Sequence, residues 1–135
     1  MPGNSTEPIK RRHILIIDDD DLMNVLYKSL FDQHKDEFDS RFSDSAKNAL
    51  EDIRRRWPDA LVLDWDMPKI SGLNLLKALR RDPVAKTIRV LVVSGRAGVE
   101  DQVLALDGGA DDYLSKPFDV RVFIARLRAL VRRWN

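Results

Sequence analysis

Leu61-Val62-Leu63-Asp64-Trp65-Asp66-Met67-Pro68 is the segment from which the rest of the chain can be ordered. Three branched apolar residues run into an acid, and a proline follows soon after. The run reads as a strand buried on both faces, as in a parallel sheet. Pro68 and then Gly72 are expected to end regular structure and form a loop. Asp64 is then at the C-terminal end of a central strand, the edge at which open α/β sheets bind ligands.

Working outward, the same pattern recurs. His13 to Ile17 reads as a first strand, ending in the acids Asp18 to Asp21. An amphipathic helix is expected next, with Leu22, Val25, Leu26, Leu30 and Phe31 at helical spacing on its buried face. Asp20 and Asp21 suit its N-terminus as capping acids. Phe38 to Phe42 is a weaker strand candidate. Ser43 or Ser45 can cap a second helix that buries Ala46, Ala49, Leu50 and Ile53 and stops at Pro58. Ala60 to Asp64 is the third strand. A third helix carries Leu73, Leu75, Leu76 and Leu79 and closes at Asp82-Pro83.

Ile88 to Val93 reads as a fourth strand running into Ser94-Gly95. Val99 to Leu106 is a fourth helix broken by Gly108-Gly109, and Asp112 to Ser115 a brief fifth strand before Lys116-Pro117. The last helix places Val122, Phe123, Leu127, Leu130 and Val131 inward, with Arg121, Arg126, Arg128, Arg132 and Arg133 between them. Strict βα alternation implies one parallel sheet with helices on both faces.

The bulk numbers agree with one folded domain. The chain has 135 residues, 44% hydrophobic and 33% charged, and a formal net charge of +1. That charge gives no global drive toward nucleic acid or an anionic membrane, and the arginines of the last helix read as a solvated face. There are no cysteines, which excludes disulfides, thiolate metal sites and thiol catalysis and fits a cytoplasmic location. No apolar run approaches the roughly 20 residues needed to span a bilayer. Residues 1–10 are expected to be a flexible leader, and residues 11–135 the domain. His13 and His34 lie beside charged residues without metal-ligand spacing, and both read as surface residues.

Asp18, Asp19, Asp64, Ser94 and Lys116 all come from C-terminal strand ends, so a parallel sheet gathers them on one edge. Carboxylates crowded there repel unless a cation joins them, and oxygen ligands at a solvated edge suit Mg2+. Lys116 adds a compact positive charge and Ser94 a hydroxyl. The set suits phosphoryl transfer, in which positioning and charge neutralisation do most of the work, with an aspartate able to serve as nucleophile.

At this point the chain resembles a response-regulator receiver domain over residues 11–133. The resemblance rests on Ile16-Ile17-Asp18-Asp19-Asp20, Leu63-Asp64-Trp65-Asp66-Met67-Pro68, Val92-Val93-Ser94-Gly95-Arg96 and the run Gly109-Ala110-Asp111-Asp112-Tyr113-Leu114-Ser115-Lys116-Pro117-Phe118. It implies a flavodoxin-like, doubly wound, five-stranded parallel sheet in the order 2-1-3-4-5. It also implies that Asp64 accepts a phosphoryl group from a sensor histidine kinase or a phosphotransfer protein. Asp19 would bind Mg2+ directly with Asp64, Asp18 through water, and Asp66 by its backbone carbonyl. Lys116 would contact the phosphoryl group, Ser94 would move toward it, and Tyr113 would turn inward. A cis peptide between Lys116 and Pro117 is expected. The surface that switches would be the fourth helix, fifth strand and fifth helix.

The last motif and the arginine-rich final helix look most like the branch that carries a winged-helix DNA-binding domain. No such domain is expected within this chain, which reads as a stand-alone regulator or a fragment with an unknown downstream target. In that branch active domains pair through the same surface. By matching position, Asp107 would pair with Arg128 and Asp112 with Arg126 in a homodimer, while Gln102 and Val122 replace a third pair. Asp66 and Arg96, each two residues beyond a motif residue, are expected to influence how long the phosphoryl group survives but not whether it is accepted.

Two other readings use the same residues. A haloacid-dehalogenase type phosphatase also has Asp-x-Asp after a strand, mimicked by Asp64-Trp65-Asp66, with Ser94, Lys116 and Asp111-Asp112 as the remaining set. Against it stand the acid cluster after the first strand, Met67-Pro68, and the short chain. A pseudo-receiver would lack part of the acid set or the lysine, and this chain has both. The chain is therefore expected to catalyse only its own phosphorylation and dephosphorylation and not to act as a metabolic enzyme.

Overall fold

A computed structural model of the protein describes residues 11–43, 46–67, 72–96 and 98–132, the side chains of residues 46 and 47 excepted. The expected leader, the cap at Ser45, the break at Pro68, and Arg133 lie outside the described residues.

The apolar runs become strands and the periodic segments become helices in strict alternation. These are β1 (Arg12–Ile17), α1 (Asp21–Asp32), β2 (Phe38–Ser43), α2 (Ala46–Arg55), β3 (Ala60–Asp64), α3 (Gly72–Arg81), β4 (Arg89–Ser94), α4 (Val99–Asp107), β5 (Asp112–Ser115) and α5 (Val120–Arg132). A 3-10 turn over Ala85–Thr87, which the sequence reading did not include, leads into β4. The five strands order as β2-β1-β3-β4-β5, and every pair is parallel.

Strand alternation sorts the core into two layers. Leu15, Ile17, Leu61, Leu63, Val90 and Val92 face Ala49 and Ile53 of α2, Leu75, Leu76 and Leu79 of α3, and Ala105 of α4. Ile14, Ile16, Val62, Leu91 and Val93 face Tyr27, Leu30 and Phe31 of α1 and Phe123, Ile124 and Leu127 of α5. Because β1 and β3 are neighbours at the centre, their C-terminal ends open into one crevice.

Four expectations are corrected. On α1 only Leu30 and Phe31 of the expected face are buried. Leu22, Val25 and Leu26 are 81%, 65% and 41% exposed, and Tyr27 takes their place inside. The helix carries two overlapping apolar arcs, and the aromatic one wins. Tyr27 packs on Phe123 at 5.5 Å between ring centres, and Phe31 meets Phe38 edge-on at 5.9 Å. On α5, Val122 is exposed and Ile124 is buried instead, which turns Ile124 onto the sheet. Gly72 is the first residue of α3, not part of the loop. A Cβ there would fall 2.8 Å from Trp65 Cε3, so the missing side chain lets the helix start against the indole.

The fourth correction is His13, which is buried. The β1–β2 register sets it beside Asp39, whose Oδ2 lies 3.0 Å from His13 Nδ1, and Arg41 closes on Nε2. Arg56 reaches the same Asp39 oxygen at 2.6 Å. Flanking charges that look like a surface pattern in sequence are therefore the partners of a buried imidazole. As for the α2 cap, Ser43 is the last residue of β2.

Candidate functional site

The acid run after β1 divides by role. Asp18 is 1% exposed, and its Oδ1 accepts a hydrogen bond from the Asp20 N–H at 2.8 Å. Asn24, one turn into α1, donates from Nδ2 to the Asp18 carbonyl at 2.9 Å and so ties the loop to the helix. Asp19 is exposed. Asp20 is the N-cap of α1, its Oδ1 accepting from the Leu22 N–H at 2.9 Å. Asp21 lies in the first turn of the helix, where negative charge favours the dipole.

Asp64 ends β3 and is 4% exposed. Its Oδ1 accepts from the Asp66 N–H at 3.0 Å and from Lys116 Nζ at 3.1 Å. Lys116 follows β5, and its backbone N–H donates to the Ser94 carbonyl at 2.7 Å, which seats the lysine beside β4. The Lys116–Pro117 peptide is cis. The ammonium also lies 3.7 Å from Asp18 Oδ2 and 3.9 Å from Asp66 Oδ2. Burial disfavours its charge, but the carboxylates of Asp64, Asp18 and Asp66 outweigh that and hold its pKa above the usual lysine value.

Asp18, Asp19 and Asp64 each present one carboxylate oxygen within 4.8 Å of the others. Burial pushes the Asp18 carboxyl up to about 6; the Asp64 charge adds to this, while the Asp20 N–H and Lys116 oppose it. Asp18 Oδ2 is buried and receives no hydrogen bond from the described residues. A buried carboxylate oxygen with no hydrogen bond, beside two more carboxylates and with Lys116 as its one nearby positive charge among the described residues, is an electrostatic setting that a hard cation relieves. The donor set therefore fits Mg2+.

β4 ends in Ser94, which is fully buried. Its hydroxyl donates to Asp66 Oδ1 at 2.9 Å and accepts from the Arg96 N–H at 2.9 Å. The Gly95 N–H donates to Asp66 Oδ2 at 2.6 Å, and Arg96 Nε stands 3.7 Å from Asp66 Oδ1. Tyr113 is buried, and its hydroxyl donates to the Arg96 carbonyl. The structure thus brings Asp18, Asp19, Asp64, Asp66, Ser94, Arg96, Lys116 and Tyr113 into one connected edge. The sequence reading missed Asn24 and the hydrogen bonds from Ser94 and Gly95 to Asp66. The Asn24 bond is local, six residues along the chain, but no motif marks it; the bonds to Asp66 depend on loops from two separate strands meeting.

The residues expected to pair between copies already have partners within one chain or lie apart. Arg126 Nη1 lies 3.1 Å from both Asp112 oxygens. Arg128 grips Glu37 through Nε at 2.6 Å and Nη2 at 2.8 Å, and Asp107 closes α4. Gln102 and Val122 line the groove between α4 and α5 with Leu106 and Tyr113.

Comparison with known proteins gives the same picture. The sequence profile described as "Response regulator receiver domain" matches residues 14–128. The phosphate regulon transcriptional regulatory protein PhoB of Klebsiella pneumoniae is 33% identical over 122 residues, covering 90% of this chain and 52% of that protein. The transcriptional regulatory protein CseB of Streptomyces coelicolor is 35% identical over 123 residues, covering 91% of this chain and 50% of its own length. The chain thus spans about half the length of these relatives. The crystal structure of a putative response regulator from Chloroflexus aurantiacus superposes with a TM-score of 0.85 at 29% identity, covering 91% of this chain and 99% of that one. On the profile match over residues 14–128, the chain belongs to the response regulator receiver domain family.

Proposed function

We propose that the chain is a two-component signalling receiver that accepts a phosphoryl group on Asp64 from a sensor histidine kinase or phosphotransfer protein. The observation that carries this reading is the position of Asp64. Its carboxylate sits at the C-terminal end of the central strand, 3.1 Å from Lys116 Nζ and grouped with Asp18 and Asp19. In the transfer, an Asp64 oxygen attacks phosphorus, the phosphorus–nitrogen bond of the donor histidine breaks, and the imidazole leaves with the bonding pair. Lys116 holds an oxygen of the transferred group, and the Ser94 hydroxyl donates to another.

Asp19 and Asp64 would hold Mg2+ directly, Asp18 through water, and Asp66 by its backbone carbonyl. When bound, the ion supplies neutralising charge for the phosphoryl oxygens. After transfer, Ser94 and Tyr113 pass the change to the face made by α4, β5 and α5. That face would bind the downstream target or a second copy, with Asp107 to Arg128 and Asp112 to Arg126 as exchanged pairs. We read the domain as cytoplasmic, with no nucleic-acid or membrane contact of its own and no turnover of metabolites. Among the described residues, no helix is long and apolar enough to cross a membrane.

The test is intact-mass spectrometry after incubation with acetyl phosphate, with and without Mg2+, beside Asp64→Asn. One phosphoryl addition that needs Mg2+ and vanishes in the variant is expected. Absence of any adduct, together with failure to bind beryllofluoride, would overturn the reading. Following the adduct over time in Asp66→Asn and Arg96→Ala tests whether these two residues set its lifetime; unchanged rates would remove them from that role.

A further inference from the structure

Two groups that the proposed function gives to a phosphoryl group, the Ser94 hydroxyl and the Lys116 ammonium, also face the Asp66 carboxylate, and the Gly95 N–H joins them. Ser94 Oγ donates to its Oδ1 at 2.9 Å and the Gly95 N–H to its Oδ2 at 2.6 Å. Lys116 Nζ stands between the two aspartates, 3.1 Å from Asp64 Oδ1 and 3.9 Å from Asp66 Oδ2. The carboxylate is also seated against the glycine, since a Cβ at Gly95 would meet Asp66 Oδ2 at 3.3 Å. A carboxylate and a phosphoryl group make the same demand on such donors: several anionic oxygens, each taking a short charge-assisted hydrogen bond.

The hydrogen bonds continue inward from that carboxylate. Arg96 N–H donates to Ser94 Oγ at 2.9 Å, and the Tyr113 hydroxyl donates to the Arg96 carbonyl. The path Asp66–Ser94–Arg96–Tyr113 joins the two residues that the proposed function makes carriers of the change after transfer. Both side chains are buried.

We propose that Asp66 is an internal stand-in for the phosphoryl group, engaging Ser94, Gly95 and Lys116 in the phosphate-free chain and holding Ser94 and Tyr113 inward. This rests on the phosphoacceptor reading and names the residue that regulates that site. Two consequences follow from one set of donors serving two anions. An incoming phosphoryl group must displace the Asp66 carboxylate from Ser94, so Asp66 lowers acceptance as well as touching lifetime, where the sequence alone suggested an effect on lifetime only. The switch is also partly set before any phosphoryl group arrives, which is a population bias built into the site.

The test uses the full chain and its Asp66→Ala variant, labelled with fluorotyrosine and followed by fluorine NMR. The chain has two tyrosines, and a Tyr27→Phe background leaves Tyr113 as the single fluorotyrosine signal. Beryllofluoride with Mg2+ is the phosphoryl probe. In the variant, affinity for beryllofluoride is expected to rise roughly tenfold. The phosphate-free Tyr113 signal is expected to move to a more exposed environment and to return when the probe binds. Asp66→Asn, which keeps the shape and loses the charge, should give the same directions to a smaller degree.

Unchanged affinity overturns the stand-in. Raised affinity with an unmoved Tyr113 signal makes Asp66 only a nearby repelling charge and overturns it too. Failure of both proteins to bind the probe overturns the phosphoacceptor reading, and the stand-in with it, whereas binding by either protein leaves that reading standing and tests the stand-in alone.

Discussion

His13 shows how a single side chain is fixed by its neighbours. Its Nδ1 donates toward Asp39 of β2, so Nε2 is left as the acceptor for Arg41, and the ring must be neutral. Burial lowers its pKa below the ordinary 6.5, the Asp39 hydrogen bond works against this, and the charges of Arg56 and Arg41 lower it further. Below about pH 6.5 the unfolded chain then binds a proton that the folded chain resists, and stability falls as pH falls through that range. The expected outcome is a Tm that drops more steeply between about pH 7 and pH 5 in the wild-type protein than in His13→Gln. Parallel melting curves across that range would show that His13 is not the group responsible.

At the scale of elements, the two apolar arcs of α1 make unequal contributions. Leu30 is buried against the sheet face shared with α5, whereas Leu22 is 81% exposed. Leu30→Ala is expected to destabilise by about 2–4 kcal/mol, since it removes packed atoms and leaves a cavity. Leu22→Ala is expected to stay within about 0.5 kcal/mol. Urea unfolding of both variants checks the assignment, and equal losses would restore the face expected from the sequence. A second junction joins α3 to the start of β5. Arg80 donates to the Gly109 carbonyl at 2.9 and 2.7 Å and to the Ile88 carbonyl at 2.6 Å, and it pairs with Asp111 at 3.1 Å. Gly109 has φ of +119°, and a Cβ there would fall 2.7 Å from Arg80 Cγ. Gly109, in the helix break after α4, thus also makes room for the side chain that anchors α3. By contrast, Arg128 and Glu37 are both largely solvated, and their pair is worth under about 1 kcal/mol.

For the whole molecule, the parallel sheet explains why one edge carries the chemistry. β1, β3, β4 and β5 all end on the same side, each delivering a polar group from a different part of the chain. Binding there should therefore stabilise the entire sheet and not one loop. On the proposed reading, Mg2+ with beryllofluoride at about one hundred times its Kd raises stability by about 2.7 kcal/mol, seen as a Tm increase of several degrees. Chelation of the metal should abolish the increase, and Asp64→Asn should not show it. A rise that survives in Asp64→Asn would place the ligand elsewhere.

Local pattern alone determined much of this protein. β3 at Ala60–Asp64 and β5 at Asp112–Ser115 have the bounds that their apolar runs and flanking residues indicate. The sheet's all-parallel form follows from the alternation of strand and helix. Asp18, Asp64 and Ser94 could be placed on one edge because each stands at the end of an apolar run, a position readable without knowing what lies opposite. Tertiary structure decided what depends on partners remote in sequence. It selected the aromatic arc of α1, because Phe123 and Phe38 offer Tyr27 and Phe31 more apolar contact than any surface offers Leu22 and Val25. It buried His13, because strand register brought Asp39 and Arg41 to it. It also set the Asp66 carboxylate on Ser94 and Gly95, 28 and 29 residues away along the chain. Periodicity records which face of an element is apolar. Hydrogen bonds between loops, and the choice between two apolar faces, are settled only by what the rest of the chain brings alongside.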